Sequence, residues 1–280
     1  MLDFLGTLKG MSAGQALDII QRKVQIRRWK QREDIGVRCS GRTAHLRTRP
    51  GTTDAEVVWQ CFVGDQYEIP KMPGIAPLHY NATQATYMNT LQSGKKPLVI
   101  DCGANMGAST VWFDMRFPGS SIIAVEPAMS NTDLLKLNCA KRENVSIVEA
   151  GVGSSDGEAY LQDSGGGHWG YQTSHVPSER LVKIVALADL IKDNMNKNAV
   201  PFILKIDVEG AEKDLFNHSL DLIALFPVII FEPHDFYMPG AKTASPFFKF
   251  HAETGRDFAF GYENVFSLDV NLMRQQGASI

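Results

Sequence analysis

From residue 95 onward, short apolar runs alternate with segments of helical pattern, and this alternation limits the possible folds more than any other feature of the chain. The apolar runs are PLVIDCG, SIIAVEP, NVSIVEAGVG, FILKIDV and FPVIIFEPH, and the helical segments between them include ASTVWFDMRF, NTDLLKLNCAKRE and GAEKDLFNHSL. Strands that alternate with helices of about ten residues form right-handed βαβ units around a parallel sheet. The tail DFAFGYENVFSLDV has instead the alternation and turn residues of an antiparallel pair. We therefore expect an α/β fold whose mostly parallel sheet is closed by antiparallel strands.

Residues 1–94 have a different organisation, and we interpret them as an N-terminal extension that packs on a main domain of residues 95–280. Residues 1–34 show helical spacing and end in a run of arginines and lysines. In residues 35–70, apolar and polar residues alternate in stretches that glycine and proline interrupt, which is typical of short strands with a connecting helix. The basic run predicts a solvated helix face. The alternative is a docking surface for an acidic partner, a membrane or a second copy of the chain.

Composition narrows the class of protein further. With 280 residues, 44% of them hydrophobic, the chain is long enough for a substantial core. The formal net charge of −3 argues against nucleic-acid binding, because nucleic-acid binders carry a basic field. The four cysteines are scattered and form no CxxC pair, so we expect reduced thiols in a cytoplasmic protein. We expect neither a secretory signal nor a transmembrane segment, since no apolar run approaches the roughly 20 residues that span a bilayer.

The first apolar run ends in the loop DCGANMG, which predicts a ligand site. Ligands of open doubly wound sheets bind outside the carboxyl ends of the strands. Gly103 and Gly107 allow a tight turn and a close approach to the backbone at a helix N-terminus. The dinucleotide fingerprint needs a glycine where Asn105 stands, and Asp101 disfavours a pyrophosphate. The loop therefore fits a ligand with positive charge and no phosphate, and S-adenosylmethionine is such a ligand.

Charged residues lie at the ends of two further strands. Glu126, followed by Pro127, ends the second run 23 positions beyond Gly103, about where nucleotide-binding folds place the acid that holds the ribose hydroxyls. In the fourth run, Lys205 and Asp207 alternate with apolar residues, although a central parallel strand is normally apolar on both faces. Because unpaired buried charges are costly, we expect these two residues where the sheet opens into the ligand crevice.

The fifth run ends in FEPHD, which adds an acid and a histidine to the same region. Neighbouring parallel strands bring their carboxyl ends together, so we expect Glu232 and His234 beside Asp207. A histidine among carboxylates at such a position is a candidate proton acceptor near neutral pH.

The motifs VIDCGANMG, AVEP, GVGSSDGEA, ALADLI, LKIDVEGAEKDLF and VIIFEPHDF, in this order, make roughly residues 55–270 resemble the FkbM family of S-adenosylmethionine-dependent methyltransferases. The resemblance implies a class I Rossmann-like methyltransferase fold with a seven-stranded, mostly parallel sheet and an antiparallel last strand, beside the small N-terminal helical and β extension. It also implies O-methylation, typically of a sugar hydroxyl in a glycan, polysaccharide or glycosylated natural product. The residues that the resemblance assigns to the donor are Asp101, Gly103, Ala104, Asn105, Gly107, Glu126 and Pro127, with Ser155 and Asp156 near the adenine.

The implied chemistry is in-line attack of a hydroxyl oxygen on the sulfonium methyl group, which requires a base within hydrogen-bond reach. We hypothesise that Asp207 or His234 is this base and that Lys205 and Glu209 order the site, although Glu209 also suits a helix N-terminus. Asp207, Glu232 and His234 could instead hold a hard divalent cation such as Mg²⁺. We do not favour the metal.

A glycine-rich stretch, DSGGGHWGYQTSH, has the composition of a lid. We expect His168, Trp169 and Tyr171 to contact the acceptor together with Glu232, and a surface excursion is the alternative. The acceptor is expected to be a small molecule or a glycan, and self-association through the N-terminal segment is an open option. Two other functions compete with methyl transfer: an NAD(P)-dependent oxidoreductase on a related fold, and a non-catalytic module that binds the donor.

Overall fold

The computed structural model describes residues 13–71, 77–163, 171–174, 178, 180–208, 212–235 and 238–278. Before residue 95 the described chain forms helices and one hairpin, as the sequence predicts for an extension of helix and short strands. The elements are α1 (Ala13–Trp29), β1 (Asp34–Cys39), β2 (Arg42–Arg47), α2 (Asp54–Phe62) and α3 (Leu78–Gln92). Strands β1 and β2 pair antiparallel.

The alternation after residue 95 produces a seven-stranded sheet. The elements up to residue 148 are β3 (Lys96–Cys102), α4 (Ala108–Arg116), β4 (Ser121–Val125), α5 (Met129–Cys139) and β5 (Val145–Val148). Between residues 151 and 195 follow β6 (Gly151–Gly153), β7 (Gly157–Asp163), β8 (Tyr171–Ser174), β9 (Leu181–Ala186) and α6 (Leu187–Met195). The remaining elements are β10 (Ala199–Ile206), α7 (Glu212–His218), α8 (Leu220–Ile223), β11 (Val228–Phe231), α9 (Ser245–Thr254), β12 (Asp257–Gly261), β13 (Asn264–Leu268) and α10 (Val270–Gln275).

The strand order of the main sheet is β12-β13-β11-β10-β3-β4-β5, with β10 and β3 at its centre. Strands β3, β4, β5, β10 and β11 run parallel, and β13 is antiparallel to both β11 and β12. The predicted class I Rossmann-like architecture, with an antiparallel last strand, is confirmed. Because β3, β4, β10 and β11 are adjacent and parallel, the residues that follow them meet at one edge of the sheet.

A second sheet of four strands, in the order β6-β9-β7-β8, lies between β5 and β10 along the chain. The sequence predicts only one strand and a helix start here, which are β9 and α6, after a glycine- and serine-rich excursion. Strands β7 and β8 occupy part of that excursion and pair antiparallel. Because β6 pairs with β9 and not with the main sheet, the chain leaves the ligand edge after Gly153.

The N-terminal elements share a hydrophobic core with one face of the main sheet. Trp59 and Tyr67 belong to the same buried cluster as Trp112 and Phe113 of α4. The Tyr67 ring lies 6.1 Å from the Trp112 ring and 5.5 Å from the Phe113 ring. The other face of the sheet carries a separate cluster that includes Phe231. The boundary between residues 94 and 95 stays a prediction, but apolar packing crosses it.

Two observations concern the expected reduced thiols and the expected absence of a transmembrane segment. All four cysteines are free thiols, three of them buried. Burial raises the pKa of the Cys102 and Cys139 thiols to about 12, so both are protonated at neutral pH. Among the described residues, no helix has the length and apolar character to cross a membrane.

Candidate active site

A cleft opens at the carboxyl ends of β3, β4, β10 and β11. Its walls come from the loop after β3, the turn after β4, the ends of β10 and β11, and the short strand β6. The N-terminal extension supplies a further wall, from α2 and the residues after it. The cleft therefore lies where the sequence predicts a ligand, but its boundary includes residues outside the main sheet.

The glycine loop packs directly against the end of β10. Gly103 has a φ of +82°, and a Cβ atom added there would lie 1.8 Å from the carbonyl oxygen of Asp207, which only a glycine avoids. At Gly107, with a φ of +90°, an added Cβ would lie 2.7 Å from a methyl group of Leu135. Asn105 also has a positive φ, and its side-chain oxygen accepts a hydrogen bond from the backbone N–H of Met106 at 2.7 Å. The loop thus presents its backbone to the cleft.

Asp101 lies beneath this loop and does not line the cleft. It is fully buried, and one carboxylate oxygen accepts hydrogen bonds from the hydroxyls of Ser109 and Thr110, each at 2.7 Å. Its other oxygen lies 3.1 Å from Nζ of Lys205. Asp101 is therefore placed to hold the loop and the start of α4 from below.

Lys205 joins the glycine loop to the acid at the end of β10. Its buried ammonium donates hydrogen bonds to the carbonyl oxygens of Gly103 at 2.8 Å and Cys102 at 3.3 Å, and lies 3.2 Å from Oδ2 of Asp207. Burial alone would lower the pKa of Lys205, but Asp101 and its neighbours outweigh burial and raise this pKa well above its ordinary value. A permanent positive charge therefore sits between two carboxylates.

Glu126 is held at the cleft wall by several donors. Oε2 accepts a hydrogen bond from the backbone N–H of Asn105 at 2.9 Å, and Oε1 accepts from the N–H of Ala128 at 3.0 Å and from Nδ2 of Asn131 at 3.3 Å. Burial raises the pKa of this carboxyl group, while these hydrogen bonds oppose the rise. The fixed carboxylate links the glycine loop to the turn after β4.

A half-buried arginine of the N-terminal extension sets the orientation of Asn131. Arg49 pairs with Asp54 through two nitrogens, at 2.7 and 2.9 Å, and donates to the side-chain oxygen of Asn131 at 3.0 Å. Because that oxygen is engaged by a guanidinium, the amide nitrogen of Asn131 faces Glu126. The sequence gives no local signal for this link, since Arg49 follows a strand in an arginine-rich stretch.

Asn138 makes a second link between the extension and the glycine loop. Its amide nitrogen donates to the carbonyl oxygens of Met106 at 2.8 Å and Arg47 at 3.1 Å, and its oxygen accepts from the N–H of Arg47 at 2.6 Å. Strand β2 is thereby tied to the loop that lines the cleft.

The adenine end differs from the expectation. Gly151 and Val152 line the cleft, but Ser155 and Asp156 are exposed and lie outside its lining. Asp156 accepts a hydrogen bond from the backbone N–H of Ala186 at 2.8 Å and so supports the second sheet. The reason is that β6 turns away from the main sheet.

Asp207, Glu232 and His234 converge at the opposite end of the cleft. Nε2 of His234 lies 3.5 Å from Oδ1 of Asp207 and 3.7 Å from Oε1 of Glu232. Its Nδ1 lies 2.5 Å from Oε1 of Glu212, and both of these side chains are buried. The Glu212 contact occupies Nδ1 of His234 and leaves Nε2 facing the two acids. Glu212 was not predicted, because it lies within the α7 pattern.

Burial is the main cause of an unusual protonation state at Glu232. Burial, followed by the charge of Asp207, raises the pKa of this carboxyl group to about 9. Glu232 is therefore protonated at neutral pH and can donate a hydrogen bond into the cleft that it lines.

The cleft wall from the N-terminal extension was also not predicted. It consists of Val57 and Gln60 of α2 with Gln66 and Tyr67 beyond it. Glu263, between β12 and β13, lines the same cleft, and Nε2 of Gln60 donates to its carboxylate at 3.3 Å. Only the three-dimensional packing of the extension brings these residues to the site.

Four predicted site residues cannot be placed in this cleft. Glu209, His168 and Trp169 lie outside the described residues. The backbone of Tyr171 belongs to β8, but its side chain is not among those described.

The sheet order, the glycine loop and the acid after β4 define a class I methyltransferase. A family model described as "Methyltransferase FkbM domain" matches residues 101–259, which is more than half of the chain. The chain belongs to the FkbM methyltransferase family, and the predicted family and methyl donor, S-adenosylmethionine, are confirmed.

Individual relatives are more distant. A protein named Methyltransferase 1 from Beauveria bassiana is 27% identical over 141 residues, which cover 42% of this chain and 56% of the relative. The chain thus spans little more than half the length of that protein.

Solved structures with a similar chain path include the O-methyltransferase TomG from Streptomyces achromogenes, with 12% identity, a TM-score of 0.38, and coverage of 76% of this chain and 87% of that one. Another is the N-terminal domain of human METTL16, with 14% identity, a TM-score of 0.38, and coverage of 90% and 92%. Similarity at this level says nothing about the acceptor.

Proposed function

We propose that the protein transfers a methyl group from S-adenosylmethionine to a hydroxyl group of a sugar, in a glycan, a polysaccharide or a glycosylated natural product. The observation that carries the proposal is the position of Asp207, a carboxylate at the cleft with a lysine on one oxygen and the His234–Glu212 pair near the other. Membership in a methyltransferase family sets the dehydrogenase alternative aside.

The cleft walls fit the donor. Asn105 and Gly103 expose backbone at a loop where a side chain on Gly103 would collide with β10. Glu126 has each oxygen already oriented by protein donors and retains acceptor capacity for the ribose hydroxyls. We assign Gly151 and Val152 to the adenine. Asp101 and Lys205 hold these walls in place without lining the cleft.

The other end of the cleft supplies the proton acceptor. When bound, S-adenosylmethionine supplies an electrophilic methyl group on a sulfonium. Asp207 faces the cleft, so it accepts the hydroxyl proton. His234, oriented by Glu212, then stabilises the protonated form of the Asp207–His234 pair. Lys205 keeps Asp207 in place, and neutral Glu232 donates a hydrogen bond to an acceptor oxygen. Much of the acceleration comes from holding the oxygen and the methyl group in line.

We propose that this reaction needs no divalent cation. Asp207, Glu232 and His234 each offer a ligand atom within 4.8 Å of the others, which is geometry that a cation could use. The ammonium of Lys205 already offsets the charge of Asp207, and Glu232 is neutral at physiological pH. Methyl transfer should therefore persist after exhaustive treatment with EDTA and be unchanged by added Mg²⁺ or Mn²⁺. Loss of activity that either ion restores would reassign the three residues as metal ligands.

The acceptor class is supported by the polar side chains of the cleft. Gln60, Gln66, Glu232 and Glu263 line the cleft together with Tyr67 and Asp207, and amide and carboxyl groups of this kind hydrogen-bond to hydroxyls. The expected cytoplasmic location of the protein is a separate point and stays a prediction.

Self-association also stays a prediction. Leu17, Ile20 and Val24 are exposed on α1 at helical spacing, which is the surface that would form such a contact. Sedimentation equilibrium of the full chain measures its mass in solution, and a monomer at all concentrations would remove this option.

The function is tested by incubating the purified chain with S-adenosylmethionine labelled in its methyl group and a panel of glycans and methyl glycosides. The expected product is an O-methyl sugar, with the modified hydroxyl mapped by mass spectrometry and NMR. Calorimetry with S-adenosylhomocysteine and NAD in parallel checks the donor site, and only the former should bind. Binding of S-adenosylhomocysteine without turnover on any sugar would favour a non-catalytic module or another acceptor class.

A further inference from the structure

We propose that the segment after α2 forms the acceptor subsite, and that the side-chain amide of Gln66 binds a second hydroxyl of the sugar, beside the one that is methylated. This inference rests on the proposed function. Gln66 precedes residues 101–259, so it lies outside the region that the family model matches.

The Gln66 side chain lies at the cleft and carries a buried amide oxygen to which no described residue donates a hydrogen bond. Gln66 lines the cleft and is only 5% exposed, and its amide oxygen is enclosed with no hydrogen-bond partner in the described part of the chain. Native proteins leave few buried polar atoms unpaired, and each needs an explanation. A ligand hydroxyl in the cleft supplies the missing partner once the amide turns toward it.

The backbone of Gln66, in contrast, is fixed. Its N–H donates to the carbonyl oxygen of Gln60 at 3.1 Å, and its carbonyl oxygen accepts from the amide nitrogen of Asn264 at 3.5 Å. Tyr67, the next residue, is buried against Trp112 and Phe113. The backbone of Gln66 is therefore held before any ligand binds, and only the torsions of its side chain have to adjust.

The surrounding groups indicate an uncharged acceptor. Among the described residues that line the cleft there is no lysine or arginine to bind an anionic group. Glu263 is acidic, while Glu126 is assigned to the donor and Lys205 offsets the charge of Asp207. A phosphorylated or carboxylated sugar would meet the charge of Glu263 and no cation of the cleft lining. An amide that can both donate and accept, in the same cleft as Asp207 and Glu232, matches the hydroxyls of a neutral sugar.

The test compares Gln66→Met with Gln92→Met. Methionine keeps the length of glutamine without its polar group. Gln92 is an exposed residue at the end of α3, near the start of β3 and away from the cleft edge. Each variant and the wild type are assayed with labelled S-adenosylmethionine on the methyl glycosides of glucose, galactose, mannose, fucose and rhamnose, and on glucose 6-phosphate and methyl glucuronide. Calorimetry with S-adenosylhomocysteine and thermal unfolding are measured on the same samples.

We expect Gln66→Met to lower kcat/KM for the best neutral glycoside about tenfold, mainly through KM, because one hydrogen bond is lost. The affinity for S-adenosylhomocysteine should stay within about twofold, and the unfolding temperature should not fall, because no hydrogen bond within the protein is removed. Removing the neighbouring hydroxyl from the glycoside should slow the wild type by a similar factor and the variant by little. Gln92→Met should match the wild type throughout.

Each of the other outcomes contradicts one particular part of the proposal. Unchanged kinetics for Gln66→Met, with the wild type active, would overturn the subsite alone. A lower unfolding temperature with equal losses for donor and acceptor would make Gln66 a structural residue. Preference for the charged sugars would overturn the uncharged class. Binding of S-adenosylhomocysteine without methylation of any sugar would overturn the proposed acceptor and this inference with it, and absent binding would contradict the donor site itself.

Discussion

At the scale of single residues, Asp207 is the side chain on which the proposed chemistry depends. Replacing it with asparagine keeps the shape but removes the proton acceptor, and Lys205 retains its contacts with Asp101 and Gly103. We expect Asp207→Asn to reduce methyl transfer by about 10²–10⁴, the usual contribution of a general base, while S-adenosylhomocysteine still binds. Steady-state kinetics and calorimetry measure the two effects. Asp193→Asn, at an exposed position of α6, is the matched control. Retained turnover in Asp207→Asn would exclude Asp207 as the base.

The raised pKa of Glu232 predicts how the free energy of unfolding depends on pH. The raised pKa of about 9, caused by burial and then by Asp207, compares with an ordinary value of 4.5. Between these two values the folded state keeps a proton that the unfolded state releases, so the free energy of unfolding falls as pH rises, by at most about 1.4 kcal/mol per pH unit. Glu232→Gln, which has no such proton, should flatten this decline between pH 6 and 9 in denaturant titrations. The exposed Glu253→Gln should keep the wild-type slope. Parallel curves for Glu232→Gln and the wild type would contradict the shifted pKa.

Which site residues the sequence could reveal depends on how they reach the cleft. Glu126, Asp207 and His234 follow buried strands, and parallel strands must bring their ends together, so their positions follow from the local pattern. Glu212 lies within a helix and reaches His234 only through the packing of α7 on β11. Gln66 comes from a distant segment, and nothing in its local pattern marks it. Tertiary contacts between distant segments leave no periodic signal.

At the scale of elements, the turn after β2 and helix α5 form a link that supports Glu126. Replacing Asn131 with alanine removes one hydrogen-bond donor to Glu126 and the hydrogen bond that Arg49 donates to Asn131. We expect the dissociation constant of S-adenosylhomocysteine to rise about fivefold, since one hydrogen bond to a charged group is lost. Calorimetry should show a smaller effect for the analogue that lacks the ribose 2′-hydroxyl. Asn196→Ala, at the exposed position that follows α6, should change neither value. Equal losses for both ligands would assign Asn131 a general structural role.

The elements that the sequence did not predict have physical reasons for escaping notice. Helix α3 buries mainly small and polar residues, among them Ala82, Thr83, Thr86 and Thr90, so it shows no apolar stripe. Strands β7 and β8 lie within a glycine- and serine-rich stretch whose composition favours loops. The main sheet, with its antiparallel pair β12 and β13 at one edge, was predictable because its strands are apolar runs with clear breaks. The second sheet was predicted only in part.

At the scale of the whole molecule, the extension and the methyltransferase core share one hydrophobic cluster and one cleft. A chain that begins at residue 95 would expose the faces of Trp112, Phe113 and Phe117 that now pack against the extension, and it would lack both Arg49 and Gln66. We expect this truncated chain to lose cooperative unfolding and donor binding together. Circular dichroism with heating and calorimetry with S-adenosylhomocysteine measure both. A chain that begins at Asp34 is the control, because it lacks α1 but keeps the hairpin, α2 and the cleft wall, and it should bind the donor at a lower unfolding temperature. If the chain from residue 95 unfolds cooperatively and binds the donor as tightly as the full chain, residues 95–280 are an independent domain and the extension acts on the acceptor alone.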